Sequence, residues 1–455
     1  MNESCGADQE SETTSDRPLF IDAFSGCGGL SLGLLRAGWR GLFAIEKDAF
    51  AFETFRSNLL EGRFKSQFDW PQWLPQSPTC VTSLIGERRN SLMALRGKVA
   101  LLAGGPPCQG FSSAGRRDPS DPRNSLMKAY LELVQLAEPA IVLLENVRGI
   151  TVDFNQTGNT DELVNYADFL RRELGETYQV YWTIVNASDY GVPQARTRFI
   201  LVAFHRGLQV NLKTMDGRID EARRRFLRKH RLLTPISTLS ALSDLELQRN
   251  GSIPSPDTPG FNAINYHSPR TNYQRLMRDG YSGVPSDTRL ARHNPHIAQR
   301  FREIIAKCNS SGRLNTSLSR EMREEYSLKK QALRVLDPQR PAPTITSMPD
   351  DLLHYSEPRT LTVRENARLQ GFPDWFAFRG KYTTGGHRRR LEVPRFTQVA
   401  NAVPPFLAEV LGTVLLDVWQ HHLGATSEPA DPHETSIQLN VYEHCNTGEI
   451  LPMFN

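Results

Sequence analysis

Between Leu19 and His205, short apolar runs rich in β-branched and aromatic residues recur at intervals: LFIDAF, GLFAIE, VALLAG, IVLLEN and RFILVAF. Between them lie stretches such as Ser125 to Glu138, where apolar residues return every three or four positions. The short runs have the length and composition of buried strands, and the longer ones have the spacing of helices packed on one face. Strands alternating with amphipathic helices predict an α/β fold, a Rossmann-like, doubly wound and mostly parallel sheet. Such sheets bind ligands beyond the carboxyl ends of their strands, so the residues that close each run are the candidates for chemistry.

The rhythm fails after His205. Residues 206–340 carry the basic run RRRFLRKHR (Arg223 to Arg231), the turn-rich NGSIPSPDTPG and many Arg and Asn residues, and are expected to form a second, smaller domain or a large insertion. Patterning returns with RPAPTIT, with the amphipathic LTVRENARLQGF, and with QVANAVPPFLAEVLGTVLLDVW, whose Pro404-Pro405 suits the first turn of a long helix. The main domain is therefore expected from residues 18–205 plus 341–422. Residues 1–17 are polar and acidic, with neither the basic nor the apolar part of a secretion signal, and are expected to be a disordered tail. Residues 423–455 are expected to be an irregular C-terminal tail.

Composition narrows the class. A chain of 455 residues has room for two domains, and 39% apolar with 23% charged residues is ordinary for a soluble protein; no apolar run is expected to cross a bilayer. The cysteines at 5, 27, 80, 108, 308 and 445 form no CxxC pair, which argues against structural zinc and for a reducing, cytoplasmic setting; no metal site is expected. A net charge of +4 is too small to imply nucleic acid, and the basic run at 223–231 fits a solvated helix face as well as a phosphate contact.

The strand ends hold the chemistry. FIDAFSGCGGLSLGL (Phe20 to Leu34) is a strand, a turn with Gly26, Gly28 and Gly29, and a helix, a design that lets backbone approach a ligand at a helix N-terminus. Glu46, closing GLFAIE, stands near the offset of an acid that binds ribose hydroxyls, so a dinucleotide or adenosine-containing ligand is expected. In GGPPCQGFSSAG a single thiol, Cys108, follows two prolines in a loop beyond VALLAG. Such a loop is a poor place to hide an apolar side chain, and the surroundings lack a papain-like signature. Glu145 ends IVLLEN on a strand expected beside the one leading to Cys108, where it fits either a helix cap or a general acid. Gln194, Arg196 and Arg198 alternate into a strand, which predicts one shared face, either an exposed edge or a site for an anionic or polar planar substrate.

These segments, in the order FIDAFSGCGG, GGPPCQGFS, ENV, QARTR, RPAPTIT and QVANAVPP, resemble the bacterial-type DNA (cytosine-5) methyltransferases that use S-adenosylmethionine. The resemblance covers most of the chain outside both tails and residues 206–340. It implies a class I methyltransferase sheet with a target recognition domain, and methyl transfer to C5 of a cytosine flipped out of double-stranded DNA. By resemblance, Cys108 adds to C6, Glu145 serves N3, Arg198 meets charge at O2, and Arg196 braces the cysteine loop or a phosphate. It likewise places Phe24, Ser25, Gly26, Gly28, Gly29, Glu46, Lys47, Pro107, Leu126, Asn401, Ala402 and Val403 around the cofactor. The partners implied are duplex DNA and, in a restriction-modification pair, a cognate endonuclease; the chain is expected to be a monomer.

Three positions depart from the family. SPTCVTSLIG offers Cys80 or Thr82 where an aspartate usually binds the adenine amino group, Ala100 stands where aspartate is common, and Ala400 where glycine is usual. Two other readings stand beside an active DNA enzyme: a DNA-binding relative without turnover, and a tRNA methyltransferase. The presence of Cys108, Glu145 and Arg198 favours activity, and the segment 206–340 favours a duplex substrate.

Overall fold

The protein is described by a computed structural model over residues 17–107, 124–151, 154–155, 163–384 and 391–427. The tail expected at 1–17, apart from Arg17, and the cysteine loop at 108–123 lie outside these residues. Six strands make the central sheet: β1 (Leu19–Ala23), β2 (Arg40–Ile45), β3 (Leu101–Gly104), β4 (Ile141–Val147), β5 (Tyr178–Asn186) and β6 (Thr197–His205). Their order is β2-β1-β3-β4-β6-β5. β1 to β4 are parallel, and β6 runs antiparallel between β4 and β5. β1, β2, β3 and β6 are almost wholly buried, as their continuous apolar runs require.

β5 was not among the expected runs. It is the edge of the sheet and only partly buried, leaving Trp182 and Ile184 exposed. At the other edge, beyond β2, Phe68 makes a single parallel bridge with Gly41.

The chain leaves β1 toward β2 on one side and later returns to β3 on the other, so the strand order reverses between β1 and β3. Their last residues, Ala23 and Gly104, are direct neighbours. A Cβ on Gly104 would lie 2.6 Å from the Ala23 carbonyl oxygen, so the two strand ends come this close only with glycine there. The turn after β1 and the loop after β3 thus emerge side by side.

Ten of the fourteen α-helices among the described residues frame the sheet and the site: α1 (Gly29–Arg36), α2 (Ala49–Phe55), α3 (Val81–Met93), α4 (Asn124–Ala137), α5 (Tyr166–Gly175), α6 (Met215–Lys229), α7 (Pro295–Ser311), α8 (Val363–Gln370), α9 (Arg395–Asn401) and α10 (Pro405–Ser427). One face of the sheet packs with α1, α6, α8 and α10, the other with α3, α4 and α5. α10 begins at Pro405, as the sequence predicts, but continues to Ser427 instead of ending at His422. The stretch Arg395–His422 is long and apolar enough to span a bilayer, yet 78% of its most apolar window is buried inside the protein, where it is core.

Residues 206–340 are divided in their packing. Met215, Ile219, Ala222 and Phe226 of α6 join the core of α10, with the Phe226 and Phe406 rings 5.2 Å apart. The basic run is ion-paired, Arg225 to Asp417 of α10 at 3.3 Å and Arg228 to Glu221 of α6 itself at 2.9 Å. Around α7, Phe301, Ile304, Ile305, Cys308, Met322 and Leu333 form a separate small core.

α1 and α10 touch through backbone. A Cβ on Gly33 would stand 2.4 Å from Ala408 Cβ and 2.5 Å from the Pro405 carbonyl oxygen, and Trp39, fully buried, donates to the Gly412 carbonyl at 2.8 Å. Gly33→Ala is expected to lower the urea midpoint, a loss of about 1–3 kcal/mol, because none of these atoms can step aside. Gly217→Ala, on the open face of α6 with nothing within 4 Å, is expected to raise it slightly.

Candidate active site

The turn after β1 is built from left-handed backbone: Phe24 has φ 62, Gly26 φ 55 and Gly28 φ 97. A non-glycine residue held there is strained, a condition that concentrates at functional sites. Ser25 N–H donates to the Ile45 carbonyl at 3.0 Å and Gly28 N–H to the Ser25 carbonyl at 2.9 Å, which ties the turn to the end of β2. On the inner side there is no room: a Cβ on Gly29 would lie 2.3 Å from the Val403 carbonyl oxygen, and one on Gly28 2.7 Å from Leu59. Gly26 differs, with open space where its side chain would be.

Glu46 follows β2 directly. Its carboxylate accepts Gly26 N–H at 3.0 Å and Asp48 N–H at 2.7 Å. Burial raises this carboxyl above its ordinary value, and those two donors pull it back. Lys47 beside it is exposed. The incoming segment is moored here as well, since Thr79 N–H donates to the Glu46 carbonyl at 2.7 Å. Cys80 then precedes the first turn of α3, its Sγ 3.1 Å from the Thr82 hydroxyl. Cys80 and Thr82, the alternatives for the missing aspartate, therefore stand together beside Glu46. The Thr82 hydroxyl, the backbone N–H groups of Thr82 and Ser83, and Lys47 lower the Cys80 thiol against a smaller effect of burial.

Asp22, a residue that sequence reasoning passed over, lies beneath the turn. It is fully buried in β1, its Oδ2 accepts the Ser31 hydroxyl at 2.6 Å, and its Oδ1 has no partner among the described residues. Burial, with a smaller contribution from Glu46, pushes this carboxyl up from 3.8 to about 7. The available signal was an acid inside the apolar run FIDAF. Ser25 Oγ is likewise buried without a partner. Cys27 is buried, its Sγ 3.6 Å from the Gln398 carbonyl oxygen, and burial raises its thiol far above the reactive range.

The second half of the site gathers where β3 and β4 end. The Pro106 carbonyl accepts from Asn146 Nδ2 at 3.2 Å, and Pro107 is partly exposed; Cys108 lies outside the described residues. Leu126, at the start of α4, packs against the core of that face. Glu145 sits across from Gly105, whose Cβ would be 3.5 Å from Glu145 Oε2. Its Oε1 is 2.8 Å from Arg198 Nε but is not aligned as a hydrogen bond, which makes the pair a charge contact with acceptor capacity to spare.

Of the three residues expected to share a substrate face, only Arg198 meets Glu145. Gln194 is turned inward, donating to the Leu369 carbonyl at 3.1 Å and to Gln370 at 2.6 Å. Arg196 donates to the carbonyls of Ala400 at 2.9 Å and Ala402 at 3.3 Å, which holds the turn Asn401, Ala402, Val403 in place. Burial lowers its guanidinium to about 9, Arg198 adds to the shift, and Glu145 opposes it, so it remains charged at neutral pH. Asn401 is exposed, while Ala402 and Val403 are buried.

A mostly parallel sheet with a glycine turn at its switch point and an acid directly after the next strand is the arrangement in which α/β proteins bind nucleotide-like ligands. The chain belongs to the C-5 cytosine-specific DNA methylase family, which it matches over residues 19–417, and its enzyme class is DNA (cytosine-5)-methyltransferase. A methyl donor of the S-adenosylmethionine type goes with that family. The chain is 32% identical over 408 residues to the type II methyltransferase M.DdeI of Desulfomicrobium norvegicum, with 86% of each chain covered. It is 28% identical over 404 residues to M1.HphI of Haemophilus parahaemolyticus, covering 87% of this chain and 86% of that one. Among solved structures, a prophage-encoded DNA modification methyltransferase of E. coli shares the fold with a TM-score of 0.61 at 24% identity, over 89% of this chain and 99% of that one.

Asp22 gives the site a measurable signature. Its folded value of about 7 lies above the ordinary 3.8, so the folded protein holds a proton that the unfolded chain has released, and stability falls as pH rises through that window. Asp22→Asn is expected to remove that decline between about pH 4 and pH 7 in thermal or urea unfolding; an unchanged pH profile would contradict the buried, raised carboxyl.

Proposed function

We propose that this chain transfers a methyl group from S-adenosylmethionine to C5 of a cytosine flipped out of a specific duplex DNA sequence, through a covalent bond between Cys108 and C6. The observation that carries this reading is the Glu145–Arg198 contact of 2.8 Å at the end of β4, next to the strand that leads into Pro106, Pro107 and Cys108. C5 of cytosine is too weak a nucleophile to attack a sulfonium methyl. Addition of the Cys108 thiolate to C6 makes C5 enamine-like, and Glu145 assists by holding a proton at N3. Arg198 answers the negative charge that grows toward O2. After transfer a water in the pocket takes the C5 proton, the electron pair of that C–H bond restores the C5–C6 double bond, and Cys108 leaves C6 as the thiolate. Flipping the base costs roughly a few kcal/mol, which contacts elsewhere on the duplex offset.

The residues present fit the cofactor. Gly26 opens onto free space, Ser25 Oγ is buried without a partner, and the Glu46 carboxylate keeps acceptor sites beyond its two backbone donors. Phe24, Ser25, Gly26, Gly28 and Gly29 would cradle it, Glu46 would hold the ribose with Lys47 beside it, and Cys80 with Thr82 would face the adenine. Pro107, Leu126 and the turn Asn401, Ala402, Val403 would close over it. When bound, the cofactor supplies the electrophilic methyl group. Residues 206–340 would choose the target bases, since readout needs polar side chains presented to a groove while the catalytic groups serve every target alike. The type II relatives support a role in restriction-modification, in the cytoplasm, opposite a cognate endonuclease.

Glu46→Ala is expected to weaken S-adenosylmethionine binding in calorimetry while DNA binding without cofactor survives; unchanged cofactor affinity would remove Glu46 from the ribose. With duplex DNA carrying 5-fluorocytosine at the target and cofactor present, denaturing gels should show a trapped protein–DNA adduct. The fluorine cannot leave as a proton does. Cys108→Ser should abolish the adduct yet bind DNA, because a hydroxyl supplies almost no anion near neutral pH. Bound DNA with no cysteine-dependent adduct would overturn the mechanism.

A further inference from the structure

Beyond the reaction centre, four contacts form one continuous alternation of guanidinium and ring. Arg292 lies over Phe261 at 4.1 Å, and Arg289 over the same ring at 4.3 Å. Arg289 also lies over Tyr382 at 3.6 Å, and Arg395 over Tyr382 at 4.1 Å. The stack joins the hairpin of residues 252–254 and 262–264, whose Ala263 bridges Arg289, to the segment that opens α9. Two residues before Arg395, Val393 N–H donates to Asp48 at 3.0 Å, and Asp48 follows Glu46 by two positions. The stack therefore flanks the cofactor end of the site.

The charges in this stack do not balance. Asp257 and Asp287 each lie 2.8 Å from Arg395, Asp257 also accepts the Tyr382 hydroxyl, and Asp287 faces Arg364. Arg289 and Arg292 have no ion-pair partner among the described residues, and Arg289 Nε is buried with no hydrogen-bond acceptor. Arg289 and Arg292 thus stand side by side on Phe261 as two unpaired cations, and the aromatic faces hold them in fixed orientation without neutralising them. Planar guanidinium groups fixed by stacking, with donor edges unspent, are suited to bidentate contact with phosphate oxygens.

We propose that Arg289 and Arg292 clasp the phosphodiester backbone of duplex DNA and set its register against the reaction centre. The inference rests on the reading of the chain as a DNA methyltransferase and assigns it two DNA-positioning residues. Phosphate contacts release counterions, so they appear in the slope of log affinity against log salt. The exposed Arg292 permits a variant that leaves the core alone: Arg292→Gln should lower the slope for a mixed-sequence duplex by about 1, and Arg289→Gln with Arg292→Gln by about 2. The loss should be equal on a second duplex of different base sequence. An unchanged slope, or a loss confined to one sequence, overturns the inference. A wild-type protein that binds no duplex DNA overturns the parent reading as well, whereas wild-type binding matched by both variants overturns this assignment alone.

Discussion

Charge buried in α8 is what joins the two parts of the molecule. All eight residues of this helix are buried, including Arg364, Glu365 and Arg368. Arg368 forks between Asp244 at 3.1 Å and Asp374 at 2.6 Å, and Arg278 joins Asp374 at 3.0 Å. Glu365 takes two bonds of 2.8 Å from Arg359 while completing a capping box with Thr362. Removing Arg368 would leave Asp244 without its cation in a dry interior, which costs about 3–5 kcal/mol, so these contacts are weak as a source of stability and strong as a fixer of geometry. Asp244, Arg278 and Asp287 come from residues 206–340. Gln370, the last residue of α8, donates to the Ala402 carbonyl at 2.5 Å, and Arg196 donates to the same oxygen. The charged helix thus connects the region expected to read DNA with the turn Asn401, Ala402, Val403 that lies on the glycine turn after β1.

Within the site three carboxyls differ because their surroundings differ. Asp22 has one hydroxyl and otherwise apolar walls, Glu46 has two backbone donors, and Glu145 has a guanidinium. A buried carboxyl with little support is neutral more of the time, whereas one supported by backbone dipoles is a steady acceptor.

Much of this architecture was legible in the sequence. Five of the six strands, the glycine turn, the start of α10 and the adjacency of the strands ending near Cys108 and at Glu145 all follow from apolar runs and turn residues, because burial of apolar surface is what such patterns encode. What escaped was pairing between polar groups. LTVRENARLQGF looks amphipathic, but its polar side is buried too, and Arg368 meets Asp244 across 124 positions. Gln194 looked like a substrate ligand and instead secures Leu369 and Gln370. Asp22 was hidden because one acid in an apolar run carries no period. β5 escaped for the opposite reason, since an edge strand with one wet face has no continuous run to betray it.

The return of the chain end to its beginning has a consequence during synthesis. Cys27 and the Gln398 carbonyl are 371 positions apart, and the backbone of Gly29 is covered by Val403. A ribosome adds the residues between them over on the order of tens of seconds. For that time the nascent chain exposes the apolar flank of α1, including Leu32 and Leu34, with nothing to cover it. Contacts between such distant positions also form slowly once the chain is free. Until α10 leaves the ribosome that flank stays uncovered, and the turn Asn401, Ala402, Val403 can settle on Gly29 only after nearly the whole chain has been made.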